Sequence, residues 1–314
     1  MRSLRKVSCL GLAALLLAAS VRGADIDKFV PGSAEGVVTL NVKQILESDL
    51  VKKYALDKAK ELLKDPNIAK LTEALGIDPL KDINSVTLAA RGDLQKSKKL
   101  VVIIRGNFDE KKIQDAATAA AKGGDFKYEN AKEGKFTLHT LSKDSESFYG
   151  VFVDKGTIVA SLNKELLLDV VNDKGGKLDA KLASAMGKAT GKESFFAAGM
   201  VTDDLKALAK ANDVAKNLVE KLEYSTTSIS VTDGIKLLVT VQTTDAEAAA
   251  GLKLLVGGIG LPAIKKQIAD NPLAPPFVKD LLEKVKVTTE KSTLVISLDV
   301  SADMIEKIIK DAGK

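Results

Sequence analysis

The chain is 314 residues long, with 45% hydrophobic and 28% charged residues, one histidine, one cysteine and no tryptophan. This is the composition of a globular protein, and the length allows one large domain or two of moderate size. The formal charge is +5, but residues 1–23 hold four of the 47 basic and none of the 42 acidic residues, which leaves 43 against 42, or +1, in the remainder. Because that remainder has only two arginines and few aromatic residues, the sequence predicts no nucleic-acid partner.

Residues 1–23 have the pattern of a secretory signal peptide. Three basic residues precede an apolar run at 9–20 that is long enough for the core of a signal peptide and too short for an ordinary membrane span. Val21 and Gly23 are small enough for positions minus three and minus one, so cleavage is expected after Gly23, with Ala24 as the alternative. We therefore expect an exported protein of the periplasm or cell envelope, with no transmembrane segment in the mature chain.

The single cysteine, Cys9, bears on lipidation and on disulfides. It precedes most of the apolar run, whereas a lipid-modified cysteine follows it, so lipidation is not predicted. The mature chain then has no thiol, which excludes disulfides and thiolate metal sites.

Two stretches, Lys99–Lys122 and Ile235–Val256, share one succession of features. Each has an apolar run, a capping-box pair and then an alanine-rich segment, whose small side chains let a helix pack closely on the strand before it. The predicted capping boxes are Asn107 with Glu110 and Thr244 with Glu247.

The remaining pattern predicts an α+β fold. Apolar and polar residues alternate between turn signals, most clearly at 229–241 around Asp233-Gly234, which predicts β-hairpins. We expect two tandem related halves, each a largely antiparallel sheet with helices packed on one face. The halves are residues 24–188 and 189–314, with a boundary rich in Lys, Gly and Ala at 172–192 and a helical insertion at 257–284. The pattern leaves open whether the two sheets join.

His139 is the only histidine and lies in a predicted strand. Phe136 and Leu138 are expected to face the core, so the alternation places His139 on the opposite, solvent-facing side. A surface histidine is the preferred interpretation, because no local spacing of carboxylates completes a metal site. A Ser-His-Asp triad assembled by folding stays open.

Ser161 and Lys164 match the S-x-x-K pattern of serine acyltransferases. Ser161 ends a predicted strand and no S-D-N or K-T-G element accompanies it, so strand-end and cap roles are favoured. The stretch Gly257–Gly260 lacks the spacing of a dinucleotide fingerprint and is interpreted as ending a helix or allowing close packing. We predict no cofactor and no metal site.

One segment, Asn271–Phe277, is where recognition is expected. Pro275 and Pro276 fix the backbone at little entropic cost, and Leu273 and Phe277 offer apolar contacts. The simpler alternative, which is favoured, is that Phe277 starts a helix that faces the core.

Four short stretches of the chain stand out together: Val30-Pro31, Ala34–Val37, Gly76–Asp82 and Leu100–Gly106. With them the chain resembles a group of exported, uncharacterised bacterial proteins of planctomycete type. The resemblance extends over most of the mature chain and implies export, but the group has no assigned catalytic residues.

The lack of organised catalytic motifs predicts a non-catalytic exported protein that acts as a binding or scaffold module. The first alternative is a hydrolase whose site assembles from Ser161, Lys164 and His139. The second is a carrier of an apolar small molecule, held between a sheet and the alanine-rich helices. The expected partner is a protein or a small apolar ligand of the envelope, and a homo-oligomer stays open.

Overall fold

The structure, a computed structural model, describes residues 26–92, 98–124, 126–202, 206, 213–271 and 275–312. The predicted signal peptide lies outside these residues. The strands are β1 (Gly36–Leu40), β2 (Ile83–Ala90), β3 (Leu100–Gly106), β4 (Lys127–Glu133), β5 (Phe136–Lys143), β6 (Glu146–Asp154), β7 (Thr157–Ser161), β8 (Phe195–Met200), β9 (Leu222–Val231), β10 (Ile235–Thr243), β11 (Lys286–Glu290) and β12 (Thr293–Val300). The helices are α1 (Val42–Glu47), α2 (Asp49–Tyr54), α3 (Leu56–Leu62), α4 (Pro66–Leu75), α5 (Pro79–Asp82), α6 (Glu110–Ala121), α7 (Lys164–Val171), α8 (Ala180–Met186), α9 (Asp213–Glu220), α10 (Ala246–Lys253), α11 (Leu261–Asp270), α12 (Pro276–Lys284) and α13 (Ala302–Ala312), with a π-helix (Leu254–Gly260) between α10 and α11.

All of these strands belong to one antiparallel sheet, in the order β11-β12-β10-β9-β8-β1-β2-β3-β7-β6-β5-β4. This confirms the predicted α+β class. Strand β1 pairs with β2 on one side and with β8 on the other, so Gly36 lies opposite both Ala90 and Gly199. The strands of the two predicted halves therefore form a single continuous sheet, which answers the question that the sequence left open.

The main hydrophobic core covers one face of the sheet, here called the core face. Cross-strand pairing aligns Leu138, Val151, Val159 and Ile103 across four neighbouring strands, and all four side chains are buried. Helix α7 packs on β6 and β7 of this row, and α8 packs farther along the same face on β8 and β9. They contribute the fully buried Leu167 and Leu182. The core forms because alternation puts the apolar side chains of adjacent strands on the same side.

Helices contact both faces of the sheet, which is a broader arrangement than the expected single face. On the side opposite the core face, here called the second face, Glu110 of α6 lies beside His139 of β5. The π-helix packs on the same side of the other half. A Cβ added to Gly257 would lie only 3.1 Å from Cβ of Val287, whose register places it on the second face.

The segment before β1 is part of the core. Phe29 is 2% exposed and belongs to the cluster on the core face. Asp27 holds this segment in place because its Oδ2 accepts hydrogen bonds from Nε and Nη2 of Arg105, at 3.2 and 2.8 Å. Gly32 allows close approach of the chain at 175–176, since a Cβ there would lie 2.6 Å from the carbonyl carbon of Gly176.

Helices begin close to both predicted capping boxes, but the residues that cap them differ from the predicted ones. The N-cap of α6 is Asp109, whose Oδ1 accepts from the Lys112 N–H at 3.0 Å, and the N-cap of α10 is Asp245, whose Oδ1 accepts from the Ala248 N–H at 2.8 Å. The hydrogen bond to the Ala248 N–H also lowers the pKa of Asp245. Helix α6 starts later than predicted because the backbone N–H of Asn107 still donates to the carbonyl of Asp82.

The compositional boundary at 172–192 holds helix α8. Leu182 and Ala185 of this helix are fully buried and Met186 is 8% exposed. They join the cluster on the core face, so the Lys- and Gly-rich segment predicted as a boundary contributes to the core.

Candidate functional site

The most exposed apolar surface lies on the helix Ala246–Asp270, which comprises α10, the π-helix and α11. Leu254, Leu255, Ile259 and Ile264 are 63%, 38%, 57% and 50% exposed, and we call these four residues the apolar ridge. Among the described residues this helix alone is long and apolar enough, by length and composition, to cross a membrane, and only 11% of its most apolar window is buried. Such exposure in a continuous stretch marks an interaction surface.

The opposite side of this helix is fixed to the sheet. Ala248 and Ala249 are 4% and 0% exposed, and α10 contacts β10, β11 and β12. The helix does not end at the glycines, as one interpretation expected, but continues through them in π geometry. The alternative of close packing holds, because the missing side chain of Gly257 lets the helix lie against Val287.

Lysines flank the apolar ridge. Lys253 and Lys266 are exposed at its two ends. Between them, Lys265 binds Glu283 of α12, with 2.9 Å between Nζ and Oε2. Long lysine side chains next to apolar residues can keep their charge in water while the apolar part is covered. The ridge therefore combines an apolar surface with positive ends.

The expected recognition segment is only partly described. Leu273 lies outside the described residues. Pro275 is exposed and occupies the N-cap position of α12, Pro276 is the first residue of that helix, and Phe277 follows in its first turn, where it is half-buried. These positions agree with the simpler alternative, in which this segment starts a helix.

His139 is buried, so the prediction of a surface histidine is wrong. It is 8% exposed because Tyr128 and Phe152 pack on its ring and Glu110 of α6 covers it. Its Nδ1 lies 2.7 Å from the Tyr128 hydroxyl, and its Nε2 lies 3.4 Å from Glu110 Oε1 without the geometry of a hydrogen bond. Because a carboxylate only accepts, we assign the proton to Nε2, with the tyrosine donating to Nδ1.

We expect the signal of this single histidine to titrate in NMR with a pKa below 6.5. Burial lowers the pKa of His139 because it disfavours the charged ring, and Glu110 opposes the shift. Glu110→Gln should therefore lower the pKa further, while Asp115→Asn, on the exposed side of α6, should leave it unchanged. The unfolded chain takes up the proton first, so stability should fall as the pH decreases from about 6.5 towards the folded pKa. A pKa of 6.5 or above would contradict the buried placement.

The three residues proposed for a hydrolase do not meet. Ser161 lies on the core face and His139 on the second face, as their cross-strand partners show, so the sheet separates them. The Ser161 hydroxyl donates to Leu100 O at 2.7 Å and accepts from the Asn163 N–H at 3.0 Å. Lys164 Nζ instead binds Glu133 Oε1 at 2.5 Å. Ser161 thus has the strand-end role that the sequence favoured, whereas the cap of α7 is Asn163 and Lys164 is the first residue of that helix.

A search of the described residues finds no group of three or more His, Cys, Asp or Glu side chains placed to hold a metal ion. The class that the fold defines is an α+β protein built on one antiparallel sheet.

Comparison with known proteins adds a likeness in structure alone. No protein-family model matches the chain, and no curated protein matches it in sequence. Two crystal forms of TP0453, a Treponema protein, are similar in fold: form III with a TM-score of 0.49 and 10% identity, and form I with 0.43 and 12%. Each alignment covers 91% of this chain and 98% of the other. At this level the likeness carries no argument about function, and the planctomycete-type resemblance stays a prediction.

Sequence reasoning missed the apolar ridge. Its signal is the uncharged run between Lys253 and Lys265, which has no polar side chain. In a helix that covers a sheet, one side is expected to be polar. The residues of this run are apolar or glycine on every side, and that pattern predicts an exposed apolar surface.

Proposed function

We propose that the chain is a non-catalytic protein of the bacterial envelope that binds a lipid surface through the apolar ridge. The observation that carries the proposal is the exposure of Leu254, Ile259 and Ile264 on a helix whose other side is fixed to the sheet. The predicted signal peptide supports it, because export brings the protein to compartments bounded by membranes.

Lipid is preferred to a protein partner on the basis of charge. Lys253 and Lys266 lie at the ends of the ridge, where they can contact anionic headgroups while the ridge enters the apolar region. The helix lies on the membrane and does not span it, because Ala248 and Ala249 are buried against the sheet and Lys265 is tied to Glu283. The described part of the protein thus keeps its fold while it binds.

Flotation with vesicles tests the proposal. We expect residues 24–314 to float with vesicles of phosphatidylglycerol and phosphatidylcholine, and to bind less as salt is raised. The double variant Leu254→Gln/Ile259→Gln should lower partitioning at least about tenfold, since full burial of one such side chain is worth about 1.5–3 kcal/mol. The matched control is Leu62→Gln, because Leu62 is 67% exposed on a different helix.

Two results would contradict the proposal. One is an equal loss of vesicle binding in the Leu62→Gln control and in the ridge variant. The other is no flotation together with a dimer that the ridge variant dissociates in analytical ultracentrifugation, because the ridge would then face a second copy of the chain.

A further inference from the structure

A second surface, separate from the apolar ridge, has the size and lining of a ligand site. A cleft of about 590 Å³ opens on the core face at the centre of the sheet, where β1 and β2 meet β8. Thr39 of β1 lies between Thr87 of β2 and Phe196 of β8, and these three side chains line the floor of the cleft. Its walls are α1 and the chain that follows α8. This volume lies within the range of small-molecule sites.

The floor carries hydroxyl groups with spare hydrogen-bonding capacity. Oγ1 of Thr39 and Oγ1 of Thr87 are 3.0 Å apart, so one hydroxyl donates to the other and the second keeps a free O–H. Ser85 is the next residue of β2 on the same face, and the described part of the chain provides no hydrogen-bond partner for its hydroxyl. Three hydroxyl groups thus line one side of the cleft.

An irregularity in β2 adds an amide. The register between β2 and β3 shifts between Ile83 and Ser85, which leaves Asn84 without a residue opposite it. Such bulges redirect a side chain and are frequent beside binding sites. Asn84 is exposed, lines the cleft and has no side-chain partner among the described residues. Its amide offers both donors and an acceptor.

The charged groups at the rim leave no excess of positive charge. Arg105 is bonded to Asp27 at 2.8 Å, and Lys43 lies 3.9 Å from Glu47. Glu193 adds a third carboxylate, so the five charged lining residues sum to −1. An anionic ligand such as a phosphate or a carboxylate is therefore disfavoured, and the open donors and acceptors suit a neutral one.

We propose that this cleft binds a neutral, hydroxyl-rich ligand of the saccharide class. The hydroxyls of Thr39, Thr87 and Ser85 and the amide of Asn84 exchange hydrogen bonds with sugar hydroxyls. Phe196 lines the floor with only 6% of its surface exposed, so it contributes a small apolar contact to the ligand and no stacking platform. This is a binding activity distinct from lipid attachment, because the cleft and the ridge share no residue.

The test is a titration of residues 24–314 with N,N′-diacetylchitobiose and with maltose, followed by calorimetry or by ligand-observed NMR. Thr87→Val removes one hydroxyl and keeps the shape of the side chain, and Asn84→Ala truncates an exposed side chain that has no hydrogen-bond partner among the described residues. The matched control is Thr226→Val, because Thr226 pairs with Thr240 at 2.6 Å on the same face but outside the cleft.

We expect saturable binding of at least one disaccharide, weakened about tenfold by Thr87→Val and by Asn84→Ala, and unchanged by Thr226→Val. Three results would overturn the proposal: no saturable binding of either sugar, equal loss in Asn84→Ala and Thr226→Val, or competition by inorganic phosphate. The ridge variant Leu254→Gln/Ile259→Gln should bind sugar normally, so the two proposals fail independently.

Discussion

Replacing Leu182 with alanine is expected to lower the free energy of unfolding by about 2–5 kcal/mol. Leu182 is fully buried in α8 and belongs to the cluster on the core face. Its removal loses apolar burial and leaves a cavity, because the surrounding structure of a packed core relaxes only partly. The effect is notable because composition marks this segment as a boundary between halves, where substitutions are ordinarily tolerated. Urea unfolding followed by circular dichroism measures the change.

The control is a leucine of the same size outside the core. Leu254→Ala removes a side chain that is 63% exposed and should change stability by no more than about 0.5 kcal/mol. If Leu182→Ala were equally mild, the segment at 172–192 would be a linker and α8 would not be part of the core.

Replacing Phe29 with alanine should cost about 3–5 kcal/mol, the usual range for a buried aromatic residue. Phe29 is 2% exposed although it lies only a few residues after the predicted cleavage site. The Arg105 guanidinium lies over its ring, 5.7 Å from the centroid, and the same arginine binds Asp27. The segment before β1 therefore covers part of the core, where the buried Phe29 ring and the Asp27–Arg105 ion pair hold it.

Thermal and urea unfolding of Phe29→Ala test this prediction beside Ile26→Ala, since Ile26 is 38% exposed. The Ile26 variant should remain within about 0.5 kcal/mol of the parent. If Phe29→Ala were also as stable as the parent, residues 26–30 could leave the core without loss of stability.

Much of the fold follows from local pattern. The hairpin of β9 and β10 illustrates this, because alternation and the Asp233-Gly234 turn were sufficient to predict it. The joining of the two sheets was not predictable in this way. It depends on β1 pairing with β8, and a strand with a partner on each side has the same local pattern as one at an edge.

Side-chain placement was predicted less well, for two physical reasons. The alternation correctly put His139 opposite Leu138, but a helix that crosses the second face buried it, and alternation contains no information on what covers a face. The cap of α10 was assigned to Thr244, whereas its N–H bonds to the carbonyl of Lys221 and Asp245 caps the helix. Contacts distant in sequence decided both outcomes.

The candidate surfaces were also beyond a motif search. The ridge consists of ordinary aliphatic residues, and its character arises from exposure alone. The cleft is lined by Thr39 and Asn84 from one predicted half and by Phe196 from the other. A prediction that treats the two halves separately does not bring these residues together.

Because β1 lies in the middle of the sheet, the sheet can be completed only late in synthesis. During synthesis, β1 has its second neighbour, β8, only when residues 195–200 follow. Until then the chain carries an open strand edge in the middle of its future sheet, next to the apolar residues of the core face. Sheets that depend on such distant pairing form slowly and expose aggregation-prone edges. A chain of this topology gains most from a holding chaperone during emergence, and a truncation after residue 188 should leave the first half with a free edge at β1.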